Sequence, residues 1–514
     1  MRTREKAAWG ALLVLALLLR LWALGDRPPH HDEAVHAHFA NAFISQGSYR
    51  YDPTYHGPLQ FYVMGALFLL FGESVAVARI YSALSGVALV ALPLALRRRL
   101  GARTAWWFGA VLATSPTFVY YSRFAREDVQ VSLFTAAVLV LLLRVRRSGG
   151  RVLPWAGVAA ALHAISKETF YVTVPLLGAS GMAVGLLEGP RRSAERLWVW
   201  LRRHAFALGT ATLWFVIITV TAYTFMFVHP EDFAFPLKAI NYWWGQHRMQ
   251  RVGGPWFYYL PRIALYELVP LVASLVWVVR RRRRLGRLEV FCLSWGSLSI
   301  GMYAYLGEKT PWLIVHQVLP WVPLAGAQLA RTFSAHGRWW SRSLAAAGLA
   351  ATVWSTAASS FLYPTITTSD GHAELIVFVQ TTPEAGALAR RGVDLARAAP
   401  DELLGAVAGE GSWPLSWQWR RLRVWWGLPQ EGSRPELAVC DPADEATARK
   451  LLGHGYSMRK IPLRGWWVET WAGVSPREVA GWFLTRKAWS AIGATDVIVF
   501  EREARGAAGE GGPR

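Results

Sequence analysis

The 514-residue sequence predicts a polytopic α-helical membrane protein, with about eleven spanning helices and a C-terminal extracytoplasmic α/β domain. Three observations carry this expectation. The composition is 53% hydrophobic and 17% charged, with a mean hydropathy of +0.22, too apolar for an ordinary soluble enzyme. Apolar runs close to the length of about 20 residues that crosses a bilayer recur near 7–25, 78–96, 104–121, 129–144, 152–166, 169–187, 205–227, 263–279, 289–306, 312–330 and 343–361. The formal charge of +21 sits in short arginine clusters between those runs, which is a topology signal and not the continuous basic face of a nucleic-acid binder.

The first run follows Arg2, Arg4 and Lys6 and so resembles a signal peptide. It lacks a small-x-small cleavage site and contains Arg20, which favours a retained anchor. With a cytoplasmic N-terminus the connections alternate between the two sides. Those inside hold Arg97, Arg98, Arg99 and Arg103, then Arg144, Arg146, Arg147 and Arg151, then Arg191, Arg192, Arg196, Arg202 and Arg203. The remaining two hold Arg280 to Arg284 with Arg287, and Arg331, Arg338 and Arg342, as the positive-inside rule requires. The outer connections mix signs, and the carboxylates concentrate there.

An odd number of spans sends everything after position 361 outward. The expected domains are therefore a membrane domain over 1–361 with a long first outer loop at 26–78, an extracytoplasmic α/β domain over 362–504, and a Gly-rich disordered tail over 505–514. In the soluble part, strand-like runs at 375–380, Leu437–Cys440 and 497–501 alternate with helical patterns at 384–399 and 443–453. Cys292 lies in an apolar run and Cys440 in the polar part, so neither an internal disulfide nor a thiolate metal site is expected.

The first outer loop is the most informative stretch. It places Asp32 and Glu33 just after the first span, flanked by His30, His31, His36 and His38. A helix beginning near Asp32 would put Asp32 and His36 on one face. The run 59–71 is apolar but too short to span, and reads as an interfacial or re-entrant helix. Three simpler readings compete for the acids: a helix cap with Glu33 favouring the dipole, a zinc site, or solvated loop charges. HDEAVH spaces His31 and His36 five apart, unlike the i, i+4 pair of a zinc helix.

Other outer turns repeat the pattern. YSRFAREDVQ holds Arg123, Arg126, Glu127 and Asp128, AISKETFYV holds Lys167 and Glu168, and LGEKTPW holds Glu308 and Lys309. Charge held this close to a bilayer is costly and is a functional hypothesis by default. Converging carboxylates would serve as base and metal ligands, with Mg²⁺ or Mn²⁺ favoured over zinc by oxygen ligation. Arg123, Arg126, Lys167 and Lys309 would neutralise a departing phosphate while a carboxylate takes the proton of an attacking hydroxyl.

The strings HDEA, YHGPLQFY, FGES, ARIYSALSG and SRFAREDV resemble GT-C membrane glycosyltransferases of the protein O-mannosyltransferase and aminoarabinose-transferase type. SKETF, GEKTPW and WPLSWQW are similar to the flippase activity-associated branch of that superfamily. The resemblance implies transfer of a sugar from a polyprenyl-phosphate donor to a glycan, lipid or protein acceptor at the outer face of the plasma membrane; inversion would follow where no covalent intermediate forms. It implies Asp32 as base with Glu33 beside it, and a metal, where one is used, on Asp32, Glu127 and Asp128. Arg123, Arg126, Lys167 and Lys309 would face the phosphate, and His31, His36, Tyr55, His56, Glu168 and Glu308 would line the cavity. A flippase of such lipids and a non-catalytic accessory protein are the rival readings. The tryptophans of WPLSWQWRRLRVWW and RGWWVETW fit a core or interface anchor, or carbohydrate stacking.

Overall fold

The computed structural model describes residues 1, 3–249, 253–335, 337–400 and 402–503; Arg2 and the 505–514 tail lie outside the described residues. The chain divides into two units, Met1–Leu24 with Ala40–Leu362, and Gly25–Phe39 with Tyr363–Arg514.

The first unit is helical. Among its described residues six helices are long and apolar enough to cross a membrane: Val75–Leu100, Asp128–Ser148, Phe170–Glu188, Ala205–Tyr223, Pro311–Thr332 and Trp339–Leu362. A seventh arises if Tyr259–Tyr266 and Leu268–Arg281, which meet at 90°, form one broken span. The runs at 7–25, 104–121, 152–166 and 289–306 are also helical, but do not meet that test of length and composition. Large apolar side chains such as Leu186, Leu187, Leu213, Trp214 and Ile217 stay exposed, the surface a lipid environment would cover.

Two helix breaks are joined by one carboxylate. The run 104–121 divides at Ser115 into Ala102–Thr114 and Pro116–Ser122, because Pro116 has no N–H to continue the helix. Glu267, at the 90° bend, accepts from Ser115 Oγ and Thr117 Oγ1, each at 2.5 Å, and from the Thr117 backbone N–H at 3.1 Å. The arginine-rich stretch expected as a plain connection contains a helix, Pro190–Arg203, with Leu197, Trp198, Val199 and Leu201 exposed beside its arginines.

The second unit is built on a six-stranded mixed sheet. Its strands are β1 (Gln380–Thr381), β2 (Gly405–Val407), β3 (Val424–Trp426), β4 (Leu437–Cys440), β5 (Tyr456–Trp467) and β6 (Ile492–Arg502), in the order β1-β5-β6-β4-β2-β3. β2 is parallel to β3 and β4, and the other pairs are antiparallel. Helix Pro383–Ala398 packs Ala385, Leu388 and Ala389 with Leu415, Trp419, Val439 and Val497. Of the tryptophan-rich strings, Trp417, Trp419 and Trp467 are buried in the core, whereas Trp425 and Trp426 are exposed.

Three expectations are corrected here. The run 375–380 yields strand only at its end, because Val379 adopts a φ of 47° and the Phe378 carbonyl accepts from a histidine ring instead of a neighbouring strand. The longest strand, β5, was not expected, since YSMRKIPLRGWW lacks clean alternation. Residues 25–39, read as part of the membrane domain's first loop, belong to the C-terminal unit. They are tied there by Gln380 Nε2 donating to the Pro28 carbonyl at 3.0 Å and Thr381 Oγ1 donating to that of Pro29 at 2.6 Å.

Candidate functional site

In the helical unit, the turns at 55–58, 123–128 and 165–169 meet around a buried polar cluster. Tight backbone contact sets its frame. His56 holds a φ of 67°, and a side chain on Gly57 would meet the Ile165 carbonyl oxygen at 2.1 Å, so only glycine fits. The Gly57 N–H donates to the Ser166 carbonyl at 3.2 Å, and that of Leu59 to Ile165 at 3.1 Å. The HGP segment thereby fixes the turn that presents Lys167 and Glu168.

Asp128 begins helix Asp128–Ser148 and is nearly inaccessible. Lys167 Nζ donates to both its oxygens, at 2.8 and 2.9 Å. His316 Nε2 donates at 3.1 Å, and Arg126 Nε lies 3.9 Å from Oδ2. The Arg126 guanidinium sits 4.3 Å from the Trp312 ring centre and donates from Nη2 to His56 Nε2 at 3.0 Å. His56 must then carry its proton on Nδ1, which faces Glu168 Oε2 at 2.8 Å. Tyr51 donates to the other Glu168 oxygen at 3.1 Å, and Trp243 stacks on His56 at 5.0 Å and 8°. Burial pushes the Glu168 carboxyl up to about 7, against the hydrogen bonds that favour its ionised form.

Near this cluster, His316 and Tyr303 line a narrow cleft that shares Trp295 and Leu319 with an apolar cavity of about 360 Å³. The cavity lies among helices, with Leu89, Phe108, Val140 and Phe291 in its wall and Arg99 and Arg287 at its edge.

Other expected members have different work. The Arg123 guanidinium donates to the carbonyls of Trp22 at 2.6 Å and Ala23 at 3.1 Å, closing the end of helix Thr3–Leu21. Lys309 donates to the carbonyls of Tyr303 at 3.1 Å, Ala304 at 2.7 Å and Leu306, at the end of helix Arg287–Tyr305, and burial lowers its pKa. Both therefore serve as helix-end caps. Glu127 is buried, and Tyr55 and Glu308 are half-buried.

In the C-terminal unit, Glu33 is 2% exposed and accepts the His30 backbone N–H at 2.8 Å, with Arg27 3.7 Å away. That is the carboxylate half of a capping box on helix His31–Gln46, which gives Glu33 a structural role. His30 accepts the Asp32 N–H at Nδ1 at 3.0 Å and donates from Nε2 to Phe378 at 2.8 Å. The Asp32 side chain remains 27% exposed. Arg464, on β5, donates to His31 Nδ1 at 3.0 Å and pairs with Glu410. Burial, ahead of the charge of Arg464, pushes His31 down to about 4 despite the opposing charge of Asp32, so the ring is neutral. His36 is buried.

Asp128 does not suit the expected Mg²⁺ or Mn²⁺, because both its oxygens are held by cationic side chains. Among the described residues no group of three His, Cys, Asp or Glu side chains is placed to share an ion. Tyr51, Trp243, His316 and Arg464 escaped sequence reasoning. Only Trp243 has a local signal, its pairing with Trp244 in the sequence.

The family described as dolichyl-phosphate-mannose-protein mannosyltransferase matches residues 55–223, which include His56, Arg126, Asp128, Lys167 and Glu168. No curated protein matches significantly. The fold is similar to ArnT from Cupriavidus metallidurans bound to undecaprenyl phosphate, with 17% identity over 98% of this chain and 99% of that one, and a TM-score of 0.61. It is also similar to the oligosaccharyltransferase AglB from Archaeoglobus fulgidus in complex with an inhibitory peptide and a dolichol-phosphate, with 12% identity over 89% and 69% of the two chains and a TM-score of 0.52. A third likeness is to the arabinofuranosyltransferase AftD from Mycobacteria, with 13% identity over 98% of this chain and 40% of that one, and a TM-score of 0.50.

Proposed function

We propose that this multi-pass membrane protein, whose fold is that of the GT-C glycosyltransferases, moves a sugar from a polyprenyl-phosphate donor to a hydroxyl acceptor at the outer membrane face. The observation that carries the reading is the buried Arg126, Lys167 and His316 cluster beside an apolar cavity. A lipid phosphate needs cations at its head and apolar walls along its tail, and both are supplied by one helical unit. Lys167 and Arg126 would take the phosphate charge, with Asp128 and the Glu168–His56 pair holding them in place. The flippase alternative is not favoured, since the family match is to a transferase.

In the transfer, Asp32 accepts the proton of the acceptor hydroxyl as that oxygen forms the new bond to the anomeric carbon. The bond from that carbon to the phosphate oxygen breaks, and its electron pair leaves with polyprenyl phosphate. Attack opposite the leaving group inverts the anomeric centre. The arginine clusters support a cytoplasmic N-terminus, eleven crossings and an outward C-terminal unit, with the helical runs at 7–25, 104–121, 152–166 and 289–306 making up the crossings beyond seven.

The test is transfer from a panel of polyprenyl-phosphate sugars by purified protein in lipid nanodiscs, with and without Mg²⁺ or Mn²⁺, beside Asp32→Asn. Turnover that the variant loses while inserting normally supports the reading. Absence of turnover with every donor, or full activity in the variant, sinks it.

A further inference from the structure

Resting on the transferase reading, we infer that Trp413, Glu410 and Arg464 of the C-terminal unit, with His31 and Asp32, form an acceptor subsite for a neutral carbohydrate. Arg464 anchors it. Its side chain is 8% exposed, and it holds the ring of His31 from one nitrogen and the carboxylate of Glu410 from another. Its position is set by β5, where Arg464 follows the register shift at Pro462 and lies opposite Thr381 of β1.

Glu410 is presented by a rigid turn. A side chain on Gly409, whose φ is 66°, would meet the Asp441 carboxylate at 2.1 Å, and Asp441 accepts the Glu410 N–H at 2.9 Å. The Glu410 carboxylate is nevertheless 54% exposed, so it is fixed at its base and by Arg464 while still facing solvent. Trp413 lies edge-on to His31 at 6.1 Å and to His38 at 5.4 Å, and is half-buried. An aromatic ring, two accessible carboxylates and a neutral imidazole thus share one patch of the unit.

The chemistry selects the ligand class. Ionised carboxylates only accept hydrogen bonds, so they are matched by hydroxyl donors, which a sugar offers in pairs. A phosphate offers acceptors and negative charge, and Asp32 and Glu410 would repel it, since Arg464 is already held by His31 and Glu410. The apolar C–H face of a sugar ring suits an indole whose tilt is fixed by its neighbours. The acceptor would therefore be a glycan hydroxyl and not a phosphorylated group.

The experiment is saturation-transfer NMR on full-length protein in nanodiscs, using neutral manno-, gluco-, galacto- and arabino-oligosaccharides and mannose 6-phosphate as probes. At least one neutral saccharide is expected to bind, and Trp413→Ala and Glu410→Gln each weaken it roughly tenfold. Mannose 6-phosphate does not bind. Binding of no neutral saccharide, equal binding in both variants, or preference for the phosphorylated sugar overturns the inference. Release of polyprenyl phosphate from donor to water is measured on the wild type, and thermal unfolding of the same samples shows that both variants fold. Absence of donor turnover in the wild type counts against the transferase reading alone, whereas lost saccharide contact counts against the subsite.

Discussion

Lys167 Nζ lies 2.8 and 2.9 Å from the two oxygens of Asp128, joining two turns that stand 39 residues apart in sequence. This ion pair is almost wholly buried, so its partners depend on each other. Removing one leaves an uncompensated charge and typically costs about 3–5 kcal/mol. Lys167→Met is expected to lower thermal stability strongly, whereas Lys167→Met with Asp128→Asn recovers most of it without recovering turnover. Thermal unfolding and donor turnover on the same nanodisc samples check both halves.

The clamp at Gly57 gives a second expectation. Gly57→Ala places a methyl group against the Ile165 carbonyl oxygen and must displace the turn bearing Lys167 and Glu168. Donor turnover should fall by on the order of 100-fold, because a displacement of about 1 Å at a positioned group costs that much. Steady-state kinetics measure it. An alanine variant with wild-type kinetics would show that the turn does not position the reacting groups.

Glu168 gives a pH dependence with a defined sign. Its carboxyl holds a proton to about 7 in the folded chain, against an ordinary value of 4.5, so the folded state binds more protons between those values. Stability from this group is fully present below 4.5 and is lost as pH rises through about 7. Relative to wild type, Glu168→Gln should show a smaller drop in Tm between about pH 5 and pH 8. Parallel pH profiles for the two proteins would rule the assignment out.

Arg123 and Lys309 separate structure from binding. Because both cap helix ends, Arg123→Ala and Lys309→Ala should reduce thermal stability by roughly 1–3 kcal/mol each and leave the donor KM within about twofold of wild type. Arg126→Ala should raise the donor KM much more. A large KM effect at Arg123 would restore it to the phosphate site.

The buried pair Arg486 and Glu374, 3.4 Å apart and inaccessible to solvent, is a stability element of the C-terminal unit. Glu374→Ala is expected to destabilise that unit by about 3–5 kcal/mol, read as earlier protease cleavage after residue 362. Unchanged cleavage would mean that the pair contributes little.

The sequence by itself determined the membrane class, the arginine-rich connections and the position of charged turns at 123–128 and 167–168, because hydropathy and net charge are sums over local residues. It also located the soluble part, and the apolar β4 and the end of β6 were legible from their runs. It did not distinguish cations that bind from cations that cap, since Arg123 and Arg126 look alike in sequence and differ only in what surrounds them. Nor did it separate Asp32 from Glu33, adjacent acids on one helix, of which the structure shows Glu33 buried and bonded to the His30 N–H and Asp32 partly exposed. Tyr51, His316 and Arg464 were decided by tertiary structure alone. Each acts through a partner at least 117 residues away, and a hydrogen bond of that reach is fixed by the fold and leaves no local pattern.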